Sequence, residues 1–223
     1  MPNAIERALD AALARGACYV GEIAIWPLAQ GGFALSHRDD RQRENLAVGR
    51  QAEDATEIAK LDDAGDYRPL KTAPNLRHGW RLEIATLDEA ARALDYFYPG
   101  RLAIFTAWKG KQLKATALRE TLDRQSGIYR VASRISDEQI NDLVGNFCRS
   151  DGGCLRTILW KRNASGAAAS TKLPPEKFDP NCDQAEPLGR PAATVIPLLC
   201  QESCNLLVAE CRKIVKGGTT IDE

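Results

Sequence analysis

The sequence predicts an α+β fold, in which a small N-terminal strand-and-helix region, residues 1–75, packs on a C-terminal domain, residues 76–223. Runs rich in Val, Ile, Tyr and Trp stand beside segments whose apolar residues recur every three or four positions, so both kinds of element are present. A polar stretch containing Pro69 and Pro74 supplies the boundary. The composition is that of a globular chain: 44% of the 223 residues are hydrophobic and 27% charged. At this length folding buries roughly 70% of the surface of the unfolded chain, so a core forms without disulfides.

Ile5, Leu9, Ala12 and Leu13 make an amphipathic helix that Gly16 stops. Residues 18–26 read as a strand ended by Pro27, and Gly31-Gly32 turns it toward a second strand over residues 33–37. Residues 39–44 are almost wholly charged and read as solvated; residues 47–61 contain a short helix before a loop over 62–75. Residues 80–85 alternate as a half-buried strand, and Thr86 with Glu89 forms a capping box that opens a helix running to Pro99-Gly100. A strand is expected over 102–108 and a helix over 113–122. Ser136 with Gln139 caps another helix that runs into Cys148, residues 155–160 read as a strand, and a last helix is expected from about Cys200 to Val215. Residues 163–191, with five prolines after position 173, form a long connection.

Lys plus Arg (30) balances Asp plus Glu (30), which removes the basic excess expected of a nucleic-acid binder. The most apolar stretch, residues 192–200, is far shorter than the roughly 20 residues of a spanning helix, so no membrane partner is expected. The mixed charges of the first ten residues do not resemble a secretory signal, and the cytoplasm is the expected compartment. There the seven cysteines stay mostly reduced, and metal binding becomes the leading use for them. No Gly-rich phosphate loop and no nucleophile elbow is present, so nucleotide hydrolysis and serine hydrolase chemistry drop out.

Six of the seven cysteines lie in roughly the last third of the chain, and four form two pairs: Cys148-x5-Cys154 and Cys200-x3-Cys204. Residues four apart on a helix share a face, which aims Cys200 and Cys204 at one object. Gly152 and Gly153 let the first loop bend and bring N–H groups toward sulfur. A helix N-terminus beside the thiolates adds positive dipole. Four thiolates suit zinc or an iron-sulfur cluster. The wide x5 loop opposite an x3 pair favours a 4Fe-4S cubane over the narrow knuckles of structural zinc, with four unrelated core thiols as the plain alternative.

The same pairing resembles the ligand pattern of the 4Fe-4S site in sulfite and nitrite reductases. With Tyr96-Phe97-Tyr98-Pro99, Arg124-Gln125-Ser126-Gly127, Tyr129-Arg130, Phe147, Trp160 and Ile196-Pro197 around them, the cysteines resemble the 4Fe-4S cluster domain at the C-terminus of some sirohydrochlorin cobaltochelatase-like (CbiX-like) proteins. The resemblance covers about residues 80–216. It implies a role near metal insertion into tetrapyrroles, for sirohaem or cobalamin, with a chelatase or redox protein and a tetrapyrrole as partners. It leaves out the chelatase domains of the fused architecture.

One 4Fe-4S cluster on Cys148, Cys154, Cys200 and Cys204 is thus expected, in an electron-transfer or redox-sensing accessory, since four cysteine ligands leave no open iron for substrate. The alternatives are a tetrapyrrole-binding reductase-like enzyme and a structural zinc module. Cys18 and Cys211 read as buried structural thiols and Cys182 as a loop cysteine. His37 and His78, the only histidines, read as ordinary surface residues with no pair to bind a metal. Lys109, Lys111, Lys114 and Arg119 read as an exposed helix face, with an anionic partner as the sharper use.

Overall fold

The computed structural model describes residues 3–148, 154–161 and 194–217. It divides into two compact units, Met1–Lys109 with Gly189–Leu198, and Gly110–Leu188 with Leu199–Glu223. The division falls at Lys109/Gly110 and not near residue 75, because the strand expected at 80–85 pairs inside the N-terminal sheet. The proline-containing stretch is a loop of the first unit.

The first unit opens with helix α1 (Ala4–Leu13), whose N-cap Asn3 and Glu6 form a capping box. The region read as one strand is two, β1 (Cys18–Val20) and β2 (Ile23–Pro27), paired antiparallel. The reversal sits at Gly21, at φ +57°, where a Cβ would stand 2.6 Å from the Tyr98 hydroxyl. Strand β3 (Phe33–His37), strand β4 (Ala47–Gly49), helix α2 (Asp54–Lys60) and strand β5 (Trp80–Ile84) follow. With β7 (Val195–Ile196) they complete a six-stranded sheet in the order β4-β5-β3-β2-β1-β7. The β2, β3 and β5 pairings are antiparallel, while β4 on β5 and β7 on β1 are parallel.

Helix α3 (Leu87–Phe97) starts at the Thr86/Glu89 capping box and buries Ala90, Ala93, Leu94 and Phe97. The Phe97 ring stacks on Trp80, with centroids 4.9 Å apart. Residues 102–108 are not a strand: α4 (Arg101–Lys109) is a helix. Its buried residues, Leu102 and Phe105, are three apart, the helical period, and Ile104 is its one β-branched aliphatic residue, too few to hold a strand.

A buried polar group also crosses this unit. The Glu22 carboxylate accepts the Leu76 N–H at 3.1 Å and lies 3.6 Å from both His37 and Arg68. Arg68, 1% exposed, donates to the Asn75 side chain and to the carbonyls of Lys71 and Ala73, which pins the loop over residues 62–76. Burying these charges without partners would be costly; here each has one.

In the second unit, α5 (Leu118–Asp123) starts five residues later than its sequence pattern suggests. Thr116 is instead drawn into an extended bridge with Trp160. A 3-10 segment (Gly127–Arg134) leads to α6 (Asp137–Leu143), capped by Ser136 and Gln139 as expected and continued by a π-helical turn (Val144–Cys148). Strands β6 (Arg156–Ile158) and β8 (Leu198–Cys200) form a two-stranded sheet, and α7 (Asn205–Gly217) closes the chain's described part. Leu118, Leu122, Ile140, Val144, Ile158, Trp160, Leu207, Val208 and Cys211 make the core. Arg119 braces it by donating to Asp137 at 2.6 Å and to the carbonyls of Ser133 and Ile135, so it is not part of an exposed basic face. Mixed helix and strand content places the chain in the α+β class.

Candidate metal centre

Each of the four paired cysteines stands at the end of an element. Cys148 is the last residue of the π-helical turn after α6, and Cys154 is separated from β6 by Leu155 alone. Cys200 ends β8, where its carbonyl accepts the Leu159 N–H at 2.8 Å. Cys204 is the residue before α7: its carbonyl accepts the Val208 N–H at 3.0 Å and its Sγ accepts the Leu207 N–H at 3.4 Å. A thiol here takes the place that Ser or Asp takes at other helix starts, satisfying an otherwise unpaired N–H. The expectation that Cys200 and Cys204 share one helical face is therefore corrected. A strand end and a helix start bring them together, because Leu198-Leu199-Cys200 is drawn into pairing with β6.

The electrostatics show that the four sulfurs share one neighbourhood. Burial, with the added charges of Cys154, Cys200 and Cys204, pushes the Cys148 thiol up to about 12. Burial also raises Cys200, against the opposing pull of Arg156. Burial thus favours the neutral thiol at both Cys148 and Cys200, and a metal centre is the usual means of holding such thiols as thiolates. Arg156 is the cation at this site. Its guanidinium donates to Cys200 Sγ at 3.4 Å and pairs with Glu202 at 2.9 Å. Burial alone would lower its pKa, but the charge and hydrogen bond of Cys200, with Cys154 and Cys204, raise it. The donor set, four thiols with an Arg and a helix-start N–H directed at sulfur, fits an anionic thiolate-ligated cluster.

Gly152, Gly153 and Cys182 lie outside the described residues. Cys18 and Cys211 are fully buried, Cys18 on β1 and Cys211 in the second unit's core, as structural thiols. Arg156 was missed by sequence reasoning, although its place two residues after Cys154 on a strand was a signal. Gln125, in the Arg124–Gly127 motif, donates to Ser203 Oγ at 3.1 Å beside Cys204, which explains its link to the cysteines. The histidines correct the sequence reading: His37 is buried, and its ring centroid stands 3.7 Å from that of His78. The charge run over residues 39–44 is exposed as expected except at Asp40, which is 4% exposed.

Residues 110–213 match the family model of a 4Fe-4S iron-sulfur cluster binding domain, and residues 5–109 that of the DR2241 stabilising domain. The chain is similar to DR2241 from Deinococcus radiodurans, at 25% identity and a TM-score of 0.72, over 96% of this chain and 42% of that one. That structure is described as a multi-domain protein with structural similarity to chelatases and two additional novel domains. The chain spans less than half the length of that protein. No curated protein matches it significantly.

Proposed function

We propose that this chain, which carries a 4Fe-4S cluster binding domain after a DR2241-type stabilising domain, ligates its cluster through Cys148, Cys154, Cys200 and Cys204 and serves as an electron-transfer or redox-sensing accessory to tetrapyrrole metal chelation. The observation that carries the reading is the meeting of four thiols with Arg156. Such a cluster supplies one-electron exchange. The protein's part is to hold the sulfurs from element ends, to exclude water around Cys200, and to direct Arg156 and the Leu207 N–H at sulfur. Positive charge and hydrogen bonds at sulfur favour the reduced, more negative state and raise the potential. Cys148, Cys154 and Cys204 are half-buried, which suits exchange with a docked partner. The chelatase link rests on the sequence resemblance and on the chelatase-like architecture of DR2241.

The test is an anaerobic preparation cycled between dithionite and a mild oxidant. Visible absorption is expected to bleach and return over repeated cycles with iron retained. A centre that resists reduction would make the domain structural and overturn the redox reading. Titration with sirohydrochlorin addresses the chelation link: a shift in its spectrum or in the cluster potential is expected. No change in either would remove the tetrapyrrole link while leaving the cluster in place.

A further inference from the structure

We propose a second metal site, in the N-terminal unit, where His37, Asp39 and His78 bind one divalent ion of the zinc, cobalt or nickel type. One ligand atom from each of these residues lies within 4.8 Å of the other two. The two histidines are far apart in sequence and meet through the sheet. His37 ends β3, β3 pairs with β5 through Ser36 and Arg81, and His78 enters β5 across Gly79, at φ +85°. Their rings are tilted by 53° with centroids 3.7 Å apart.

The surroundings supply what ligating imidazoles require. A metal-bound histidine donates its other ring N–H in a hydrogen bond, often to a carboxylate, which sets its tautomer and orientation. Glu22 Oε1 lies 3.6 Å from His37 Nε2, leaving Nδ1 to the ion. Nδ1 now accepts the Asp39 N–H at 3.2 Å and lies 3.6 Å from an Asp39 carboxylate oxygen. The Asp39 side chain is exposed and free to turn its carboxylate to an ion, which takes the place of the part-buried Asp39 N–H at Nδ1. At His78, Asp40 faces Nδ1 and Asp63 faces Nε2, each at 3.5 Å, so either nitrogen can ligate with a carboxylate at the other. Asp40 is fixed for this role by the Gly79 N–H at 2.6 Å and by Arg43.

Access and charge agree. His78 lines a cavity of about 540 Å³ with Asp62, Asp63, Arg77 and Gly79, through which an ion and its water ligands reach the site. Glu22, Asp39, Asp40 and Asp63 bring four carboxylates to the two rings, against Arg68 on Glu22 and Arg43 on Asp40. With Arg77 in the cavity wall, these four carboxylates face three guanidiniums, and the one negative charge in excess attracts a dication. Two nitrogens and one carboxylate oxygen suit zinc, cobalt or nickel better than calcium or magnesium, which prefer all-oxygen sites.

The experiment uses tag-free protein with its iron-sulfur centre loaded, so that the cluster thiolates do not compete for zinc. Because the chain has 2 histidines, 15N-histidine labelling reports on both rings without ambiguity. Zinc is expected to bind at one equivalent per chain and to shift one ring nitrogen of each histidine. His78→Gln and the exposed Asp39→Asn should each weaken binding at least about tenfold, with iron and sulfide content unchanged. Absence of zinc binding, binding of equal strength in both variants, or bound zinc with unmoved ring nitrogens would each overturn the proposal.

Discussion

The two units solve the problem of order differently. In the N-terminal unit, β2, β3 and β5 and the helix α3 close over Ile23, Ile25, Leu35, Leu82, Leu94 and Phe97, all at 0% exposure, and the polar network around Glu22 is satisfied by its own chain. In the C-terminal unit the two strands are each three residues long, and the segments that carry Cys148, Cys200 and Cys204 end where a cysteine stands. The first unit draws its stability from apolar burial. The second places thiols at its element ends, and a centre that joins them also joins the π-helical turn, β6, β8 and α7. Metal binding and folding are coupled in such a unit.

Stripping the iron is therefore expected to have the largest effect, and on one unit only. Amide exchange should accelerate across α6, β8 and α7 while the six-stranded sheet keeps its protection; equal loss in both units would erase the difference between them. Leu82→Ala acts in the opposite sense. It opens a cavity under the sheet and should cost about 2–5 kcal/mol in the denaturation of the N-terminal unit, with iron content unchanged. Arg156→Gln removes a cation and a hydrogen bond from sulfur, and redox titration should find the potential lowered by on the order of tens of millivolts. Thr86→Ala removes the α3 cap and should cost about 1 kcal/mol, measured by urea unfolding.

The smallest effect is alkaline. Burial, only partly offset by hydrogen bonding with the backbone of Ile196 and Tyr19, pushes the Cys18 thiol up to about 11. The fold thus favours the neutral thiol, so its stabilisation is intact below the ordinary thiol value of about 8.5 and declines as pH rises from there toward 11. Cys18→Ala should flatten that part of the stability profile of the N-terminal unit.

Local patterns were legible in the sequence, and long-range meetings were not. The capping boxes at Thr86/Glu89 and Ser136/Gln139 start helices where their spacing says, because a cap is settled within four residues. Residues 102–108 misled because a short apolar run serves a buried strand or a helix equally, and tertiary packing decides. Likewise Leu198-Leu199-Cys200 joins a strand only because β6 is there to pair with it. The cysteine pairs suggested a shared neighbourhood by type and spacing, but Arg156 and the Leu207 N–H depend on how β6 and α7 approach. The meeting of His37 with His78 depends on the β3–β5 register, to which no local spacing points.

Iron and acid-labile sulfide in single Cys→Ser variants decide whether Cys148, Cys154, Cys200 and Cys204 hold the cluster. About four irons and four sulfides per chain are expected in the anaerobic parent protein. Cys148→Ser, Cys154→Ser, Cys200→Ser and Cys204→Ser should each lose most of both, while Cys211→Ser keeps them. Full iron and sulfide in any of the four, or their loss in Cys211→Ser alone, would contradict the assignment.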